Sequence, residues 1–273
     1  MFEILLRWYN VAALFAVLAV NRFAETEPVK GMTTGEISAM FPVQITPAPY
    51  AFAIWGLIYA LLLGFVIVQF LPSKRGHHEL RSIGPWFGVT CVFNIGWLLL
   101  WQNLNITSSL FAMLGLLLSL AVLYANTRPH GWSEDQAVRW WIQVPFSLYF
   151  GWVTAAAIVN TAVVFYANGW DGFGWPETFW TVLMILIVSL LSLLIGFLRK
   201  DPFYMLATVW ALVAIGAANQ GNGTLGYMAW GAAGLLFAYA VLLIIANGWL
   251  KRRGRDEVEE GRAWSFYQRI GTG

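Results

Sequence analysis

The residues best suited to recognising another molecule are aromatic rings and amides set at helical spacings. Trp55 and Tyr59 stand four apart, with Phe52 three before Trp55. Asn94, Trp97 and Trp101 follow one another at spacings of three and four, and a third set comprises Gln143, Tyr149, Trp152 and Asn160. On a helix such spacings put side chains on one face. Three helices would then each present rings along a face, two of them adding an amide. Together they would wall a flat-sided apolar pocket with a few orienting polar groups, the general form of a small-molecule site, in which a planar hydrophobic ligand stacks well. Trp55, Tyr59, Trp97 and Trp152 would supply stacking and apolar contact, and Asn94 and Asn160 would orient polar groups of the ligand. The competing reading is structural. An amide in lipid must find a partner, and Asn or Gln bonding across helices holds many bundles together.

Other chemistry is missing. No Asp, Glu, Lys, Arg or His falls in the middle of any predicted span, which argues against proton relays and ion pathways, although backbone carbonyls can also bind sodium. No metal centre and no acid–base pair is expected, so the chain reads as a non-enzyme with no required cofactor. Cys91 is the only cysteine, which excludes an internal disulfide, and it reads as a small packed residue. His77 and His78 adjoin Lys74 and Arg75 in a polar connection and read as a surface pair. The net charge is +2 with basic residues scattered, so no nucleic-acid footprint is present.

These faces need helices to carry them, and the composition indicates helices in a bilayer. Of 273 residues 59% are hydrophobic and 11% charged, against about 25% charged in soluble domains. The 16 Trp suit membrane interfaces. A spanning helix needs about 20 mostly apolar residues. Eight stretches qualify: Leu5–Asn21, Tyr50–Leu71, Pro85–Leu104, Ser108–Asn126, Trp141–Tyr166, Phe179–Leu198, Phe203–Asn219 and Leu225–Leu250. The seventh is short and rich in Ala and Gly, which leaves room for a re-entrant segment. Cytoplasmic loops collect Lys and Arg, and the connections after spans two, four, six and eight carry them (Lys74, Arg75, Arg81; Arg128, Arg139; Arg199, Lys200; Lys251, Arg252, Arg253, Arg255), while those after three, five and seven carry none. Both termini are therefore expected in the cytoplasm, and with no targeting peptide apparent a bacterial inner membrane is expected. The first long connection, ending Phe41-Pro42-Val43-Gln44-Ile45-Thr46-Pro47-Ala48-Pro49, is apolar and proline-rich and could cap the outer face. The segment Asn168 to Pro176, with its Gly and Trp residues, reads as an outer-leaflet anchor.

The same residues resemble the tryptophan-rich sensory protein / translocator protein (TspO/MBR) family, which includes the mitochondrial peripheral benzodiazepine receptor. Three patterns carry the likeness: Pro47-Ala-Pro49-Tyr-Ala-Phe52-Ala-Ile-Trp55-Gly-Leu-Ile-Tyr59; Phe93-Asn94-Ile-Gly-Trp97; and Pro145…Tyr149-Phe-Gly-Trp152 followed by Asn160. It extends from Trp8 to Asn168. This chain departs from the family in placing Pro145 seven before Trp152 rather than four, Phe52 three before Trp55 rather than four, and in splitting the proline pair. Spans six to eight have no counterpart in five-helix members, so the chain reads as an enlarged, divergent relative. The expected organisation is an all-α polytopic bundle: residues 1–168 a five-helix translocator-protein-like unit, 169–250 three additional helices, and 251–273 a charged cytoplasmic tail.

What the resemblance implies is a binder of tetrapyrroles (porphyrin or haem) or other hydrophobic, lipid-like molecules with a sensory or regulatory role, and a homodimer would be in keeping with it. A proposed sterol motif of the form Leu/Val…Tyr…Lys/Arg is matched by Val122-Leu-Tyr124-Ala-Asn-Thr-Arg128, a pattern common by chance. Two other functions remain open: a transporter or permease of neutral or amphipathic solutes, and a structural assembly factor in which the rings are bundle packing. The halves 1–125 and 126–250 show no convincing repeat, against what many transporters show.

Overall fold

The computed structural model describes residues 2–74 and 76–270, with side chains described over 3–74 and 76–246. Among these residues the chain is helical throughout and has no strand. α1 (Phe2–Thr26) is followed by a short cap helix, α2 (Thr34–Ala39); a tight turn over Pro49–Ala53 then leads into α3 (Ile54–Val68). A short α4 (His78–Ile83) precedes α5 (Trp86–Gln102) and α6 (Ile106–Asn126). One turn, α7 (Gln136–Val138), and a widened π turn (Arg139–Gln143) open α8 (Val144–Ala167). Pro145 sits just past the π turn, inside a helical run that is continuous from Gln136 to Ala167, and the widened turn accommodates the N–H that proline lacks. α9 (Glu177–Arg199), α10 (Pro202–Ala218) and α11 (Gly223–Ile270) complete the chain.

Six of these helices are long and apolar enough to cross a membrane, and α5 and α10 are shorter apolar helices. At 17 residues each and about 1.5 Å per residue, the two reach the lower end of a spanning length. The eight predicted stretches thus all appear as helices, with boundaries moved by a few residues except at the end of the eighth, where the helix runs on to Ile270. The charged tail expected at 251–273 falls on residues whose side chains lie outside those described; the backbone of α11 continues through Ile270.

The seventh stretch is a continuous helix with no re-entrant turn. α10 looks weak in sequence because it is the most enclosed of the added helices, buried along Tyr204, Met205, Ala207, Thr208, Ala211, Leu212, Ala214 and Ile215. A helix wedged among others needs small residues so that backbones can approach. At Gly151 of α8 a Cβ would lie 2.5 Å from the Tyr204 carbonyl oxygen and 3.1 Å from Ala207 Cβ. The backbone of α10 cannot yield as a flexible side chain would. Gly151→Ala is therefore expected to destabilise the bundle by about 1–3 kcal/mol through overpacking, outweighing the ~1 kcal/mol that Ala gains in helix propensity. A thermal melt in detergent checks this; an unchanged or raised midpoint would mean that α8 and α10 are not in such contact.

The first long connection folds as a cap. α2 starts with a capping box, in which the Thr33 hydroxyl accepts from Glu36 N and the Glu36 carboxylate accepts from Thr33 N at 2.7 Å, holding that carboxyl below its usual range. Three helices pin the cap. Trp101 Nε1 of α5 donates to the Thr34 carbonyl at 3.2 Å, and Asn219, just past α10, donates to the Gln44 carbonyl at 2.7 Å. Glu177 at the start of α9 accepts from Gln44 N at 2.7 Å. Ala48 N adds a bond to the Ala214 carbonyl of α10 at 3.0 Å. The added helices therefore hold the cap on the first five.

Candidate functional site

Beneath the cap lies a small, almost wholly apolar cavity of about 40 Å³. One stripe of α8 forms its longest wall: Trp152, Ala155, Ala156, Val159 and Asn160, positions that share a helical face. Phe52 and Trp55 face it from the α3 side, Trp97 and Trp101 from α5, and Met113 from α6. Ala211 and Ile215 of α10 close the far side, and Ser38 and Pro47 of the cap form the roof.

The rings pack in defined ways. Trp97 and Trp101 stack with centroids 5.8 Å apart. Trp55 stands edge-on to Trp152 at 6.3 Å and to Tyr149 at 5.5 Å, and Phe52 is edge-on to Trp152 at 6.1 Å. Such arrangements add about 0.5–1.5 kcal/mol per pair beyond burial, so the walls are preorganised.

Of the six residues expected to bind ligand, Trp55, Trp97, Trp152 and Asn160 line the cavity together. Tyr59 and Asn94 do not. Tyr59 stacks under Trp55 at 5.4 Å, supporting the wall from behind. Asn94 donates to the Tyr149 hydroxyl at 2.9 Å and accepts from Asn21 at 3.2 Å, tying α1, α5 and α8 together. Asn160 reaches the cavity but is already engaged: its Oδ1 accepts from Trp97 Nε1 at 3.1 Å and its Nδ2 donates to Ser109 Oγ at 3.2 Å. Both amides thus bond across helices, which removes them as free orienting groups.

One ring of the chamber wall carries a buried polar atom without a partner. Trp152 is 3% exposed, and its indole Nε1–H has no hydrogen-bond partner. A buried donor left unpaired costs about 1–3 kcal/mol, which a ligand bringing an acceptor would recover. Ser38, Pro47, Met113, Ala211 and Ile215 were missed, because small and aliphatic residues like these recur throughout the spans and carry no signal by which to find them.

A second buried constellation lies at the end of the bundle away from the cap. Arg128 follows α6, and the sequence pattern makes it a loop charge that sets orientation, yet it is 1% exposed and Asp201 is 0% exposed. Arg128 Nη1 lies 3.2 Å from Asp201 Oδ2, and its guanidinium lies over the Trp132 ring at 3.5 Å and the Tyr124 ring at 5.0 Å. Its other Nη donates to Ser147 Oγ and to the Gln143 carbonyl. Tyr124 donates to Asp201 at 2.8 Å. The sterol-motif reading of Val122 to Arg128 is corrected here: Tyr124 and Arg128 both point inward to Asp201 and are not available to a lipid-facing sterol. His77 lies 3.6 Å from Asp135, beside Lys74, which bonds the same carboxylate and holds it below its usual range.

A family model described as TSPO-like protein matches residues 7–242, running past Asn168 through α9 and α10 and into α11. No curated protein and no solved structure matches the chain.

Proposed function

The chain belongs to the TSPO-like protein family, and from that premise we propose that this integral, multi-pass membrane protein is a receptor for a hydrophobic small molecule, with a sensory or regulatory role. The aromatic, almost wholly apolar chamber carries the reading, and the buried, unpaired Nε1–H of its wall residue Trp152 supports it. It favours a ligand with a flat apolar body and at least one hydrogen-bond acceptor. A porphyrin or haem, whose macrocycle bears carboxylates, fits that description, and so does a lipid-like molecule with a single polar end. The protein acts by binding, and the residues of the chamber offer no acid–base pair for catalysis. The alternation of Lys- and Arg-bearing connections supports both termini in the cytoplasm and the cap outside, in a bacterial inner membrane.

Size adds a condition. A chamber of about 40 Å³ has room for a few water-sized molecules, whereas drug-sized ligands occupy about 300–1,000 Å³. A tetrapyrrole enters only if the cap lifts from α5, α9 and α10, so its binding would move the segment around Gln44. Coupling of chamber to cap gives a sensor its output.

The test is titration of the purified, detergent-solubilised protein with protoporphyrin IX and with haem, followed by tryptophan quenching. Saturable quenching at micromolar ligand is expected. Trp152→Phe keeps most of the ring and deletes the donor, so affinity is expected to fall about tenfold, the equivalent of ~1.4 kcal/mol, with stability unchanged or slightly raised. Linear quenching, identical in the two proteins, would refute a specific tetrapyrrole site.

A further inference from the structure

A second cavity opens beside the cap, where α8 ends and α9 begins, and nothing in the chamber's proposed role uses it. Its volume is about 240 Å³, below the drug-sized range and suited to a small ion. Tyr166, Trp170, Trp175 and Trp180 line it together with the carboxylates of Asp171 and Glu177. No Lys or Arg is among its lining residues, and among the described residues neither carboxylate enters an ion pair.

The rings are fixed in place. Trp180 Nε1 donates to the Gly172 carbonyl at 3.0 Å, and Trp170 meets the Trp180 ring at 4.8 Å and a steep angle, making a corner. Trp175 packs on Phe179 at 4.6 Å, and Tyr166 stands edge-on to Phe41 of the cap at 6.5 Å. The carboxylates are held as well. Asp171 accepts from Phe173 N at 3.0 Å and Glu177 from Gln44 N at 2.7 Å. A membrane anchor needs Trp at the interface but has no need of a ring corner closed by two acids.

We propose that this cavity is a cation site for a methylated ammonium group. Aromatic faces attract cations through the ring quadrupole, and quaternary ammonium ions are the usual guests of aromatic cages. A primary ammonium is compact and strongly hydrated and calls for several acceptors. Here each carboxylate has already given one oxygen to a backbone N–H, so the cavity offers rings and diffuse negative charge instead. The same chemistry is met in free choline and in a phosphocholine lipid headgroup, and a site at the end of α8 in the interfacial layer is open to either.

Calorimetric titration in a maltoside detergent, with choline, phosphocholine and ethanolamine as probes, tests this on the full chain. Choline or phosphocholine is expected to saturate, with ethanolamine at least tenfold weaker. Trp175 is 59% exposed, so Trp175→Ala spares the fold; it and the isosteric Asp171→Asn are each expected to weaken choline at least threefold. In nanodiscs, competition of free choline by phosphatidylcholine but not by phosphatidylglycerol assigns the lipid headgroup as the source, and equal binding in both assigns the soluble cation. Equal affinity for choline and ethanolamine, absence of saturation by either choline compound, or choline binding unchanged in both variants overturns the proposal. None of these outcomes depends on whether the chamber binds tetrapyrrole.

Discussion

Arg128→Met lowers the stability of the folded bundle by about 3–5 kcal/mol, the usual cost of removing one partner from a buried ion pair. The substitution keeps the unbranched apolar stem and removes the guanidinium, so the stranded charge is the main loss and the contacts over Trp132 and Tyr124 go with it. Asp201 remains at 0% exposure with its negative charge facing no guanidinium. Asp201 cannot retreat to water. It follows Lys200, which takes a left-handed φ of 50°, and its Oδ1 accepts from Phe203 N and Tyr204 N at the start of α10. Asp201→Asn in the Arg128→Met background removes the stranded charge while leaving an oxygen for the cap, and most of the lost stability returns. Replacement of a buried pair by neutral groups is often close to neutral overall. A double-mutant cycle read by thermal melting measures the coupling. A single substitution within ~1 kcal/mol of the parent, or a double variant no better than the single, would show that the pair is not desolvated.

That pair also marks where sequence reading stops. The spans were legible because lipid-facing side chains must be apolar over a whole helix, a signal that local composition carries. Three rings and one amide of the chamber wall were legible for a related reason: Trp55, Trp97, Trp152 and Asn160 have types and spacings that stand out from aliphatic surroundings. What those residues bond to was not legible. Asn160 reads the same in sequence whether it faces a ligand or takes the Trp97 indole proton, because its partners come from α5 and α6. Likewise, Arg128 looks like any loop cation until the fold brings Asp201 to it. The burial of α10 was hidden because Ala and Gly lower hydropathy in a central helix as they do in a weak one. The family match over 7–242 accords with the structure on this point, since α10 supplies both the far wall of the chamber and an anchor of the cap.

If ligand occupies the chamber, Ala155→Leu abolishes its binding, with an affinity loss of at least a hundredfold, equivalent to about 2.8 kcal/mol. Ala155 lies one turn beyond Trp152 on the cavity stripe of α8 and is 4% exposed. A leucine there projects into the space between the rings. The chamber has about 40 Å³, and three added carbons fill it. The protein itself tolerates the change at a cost of about 1–3 kcal/mol of overpacking at most, offset in part by ~0.8 kcal/mol for each methylene buried. A bound ring system has no such tolerance, because it must share the same space with rigid indoles. The pair of outcomes separates two readings of the aromatic faces. A receptor loses ligand while its melting midpoint shifts little. An assembly of rings that only packs the bundle shows a stability change and no ligand response in either protein. Comparing Ala155→Leu with Trp152→Phe then apportions the site, since the first blocks volume and the second removes a single hydrogen-bond donor. Equal losses in both would mean that the donor matters as much as the space. A loss only in Ala155→Leu would mean that apolar contact alone holds the ligand.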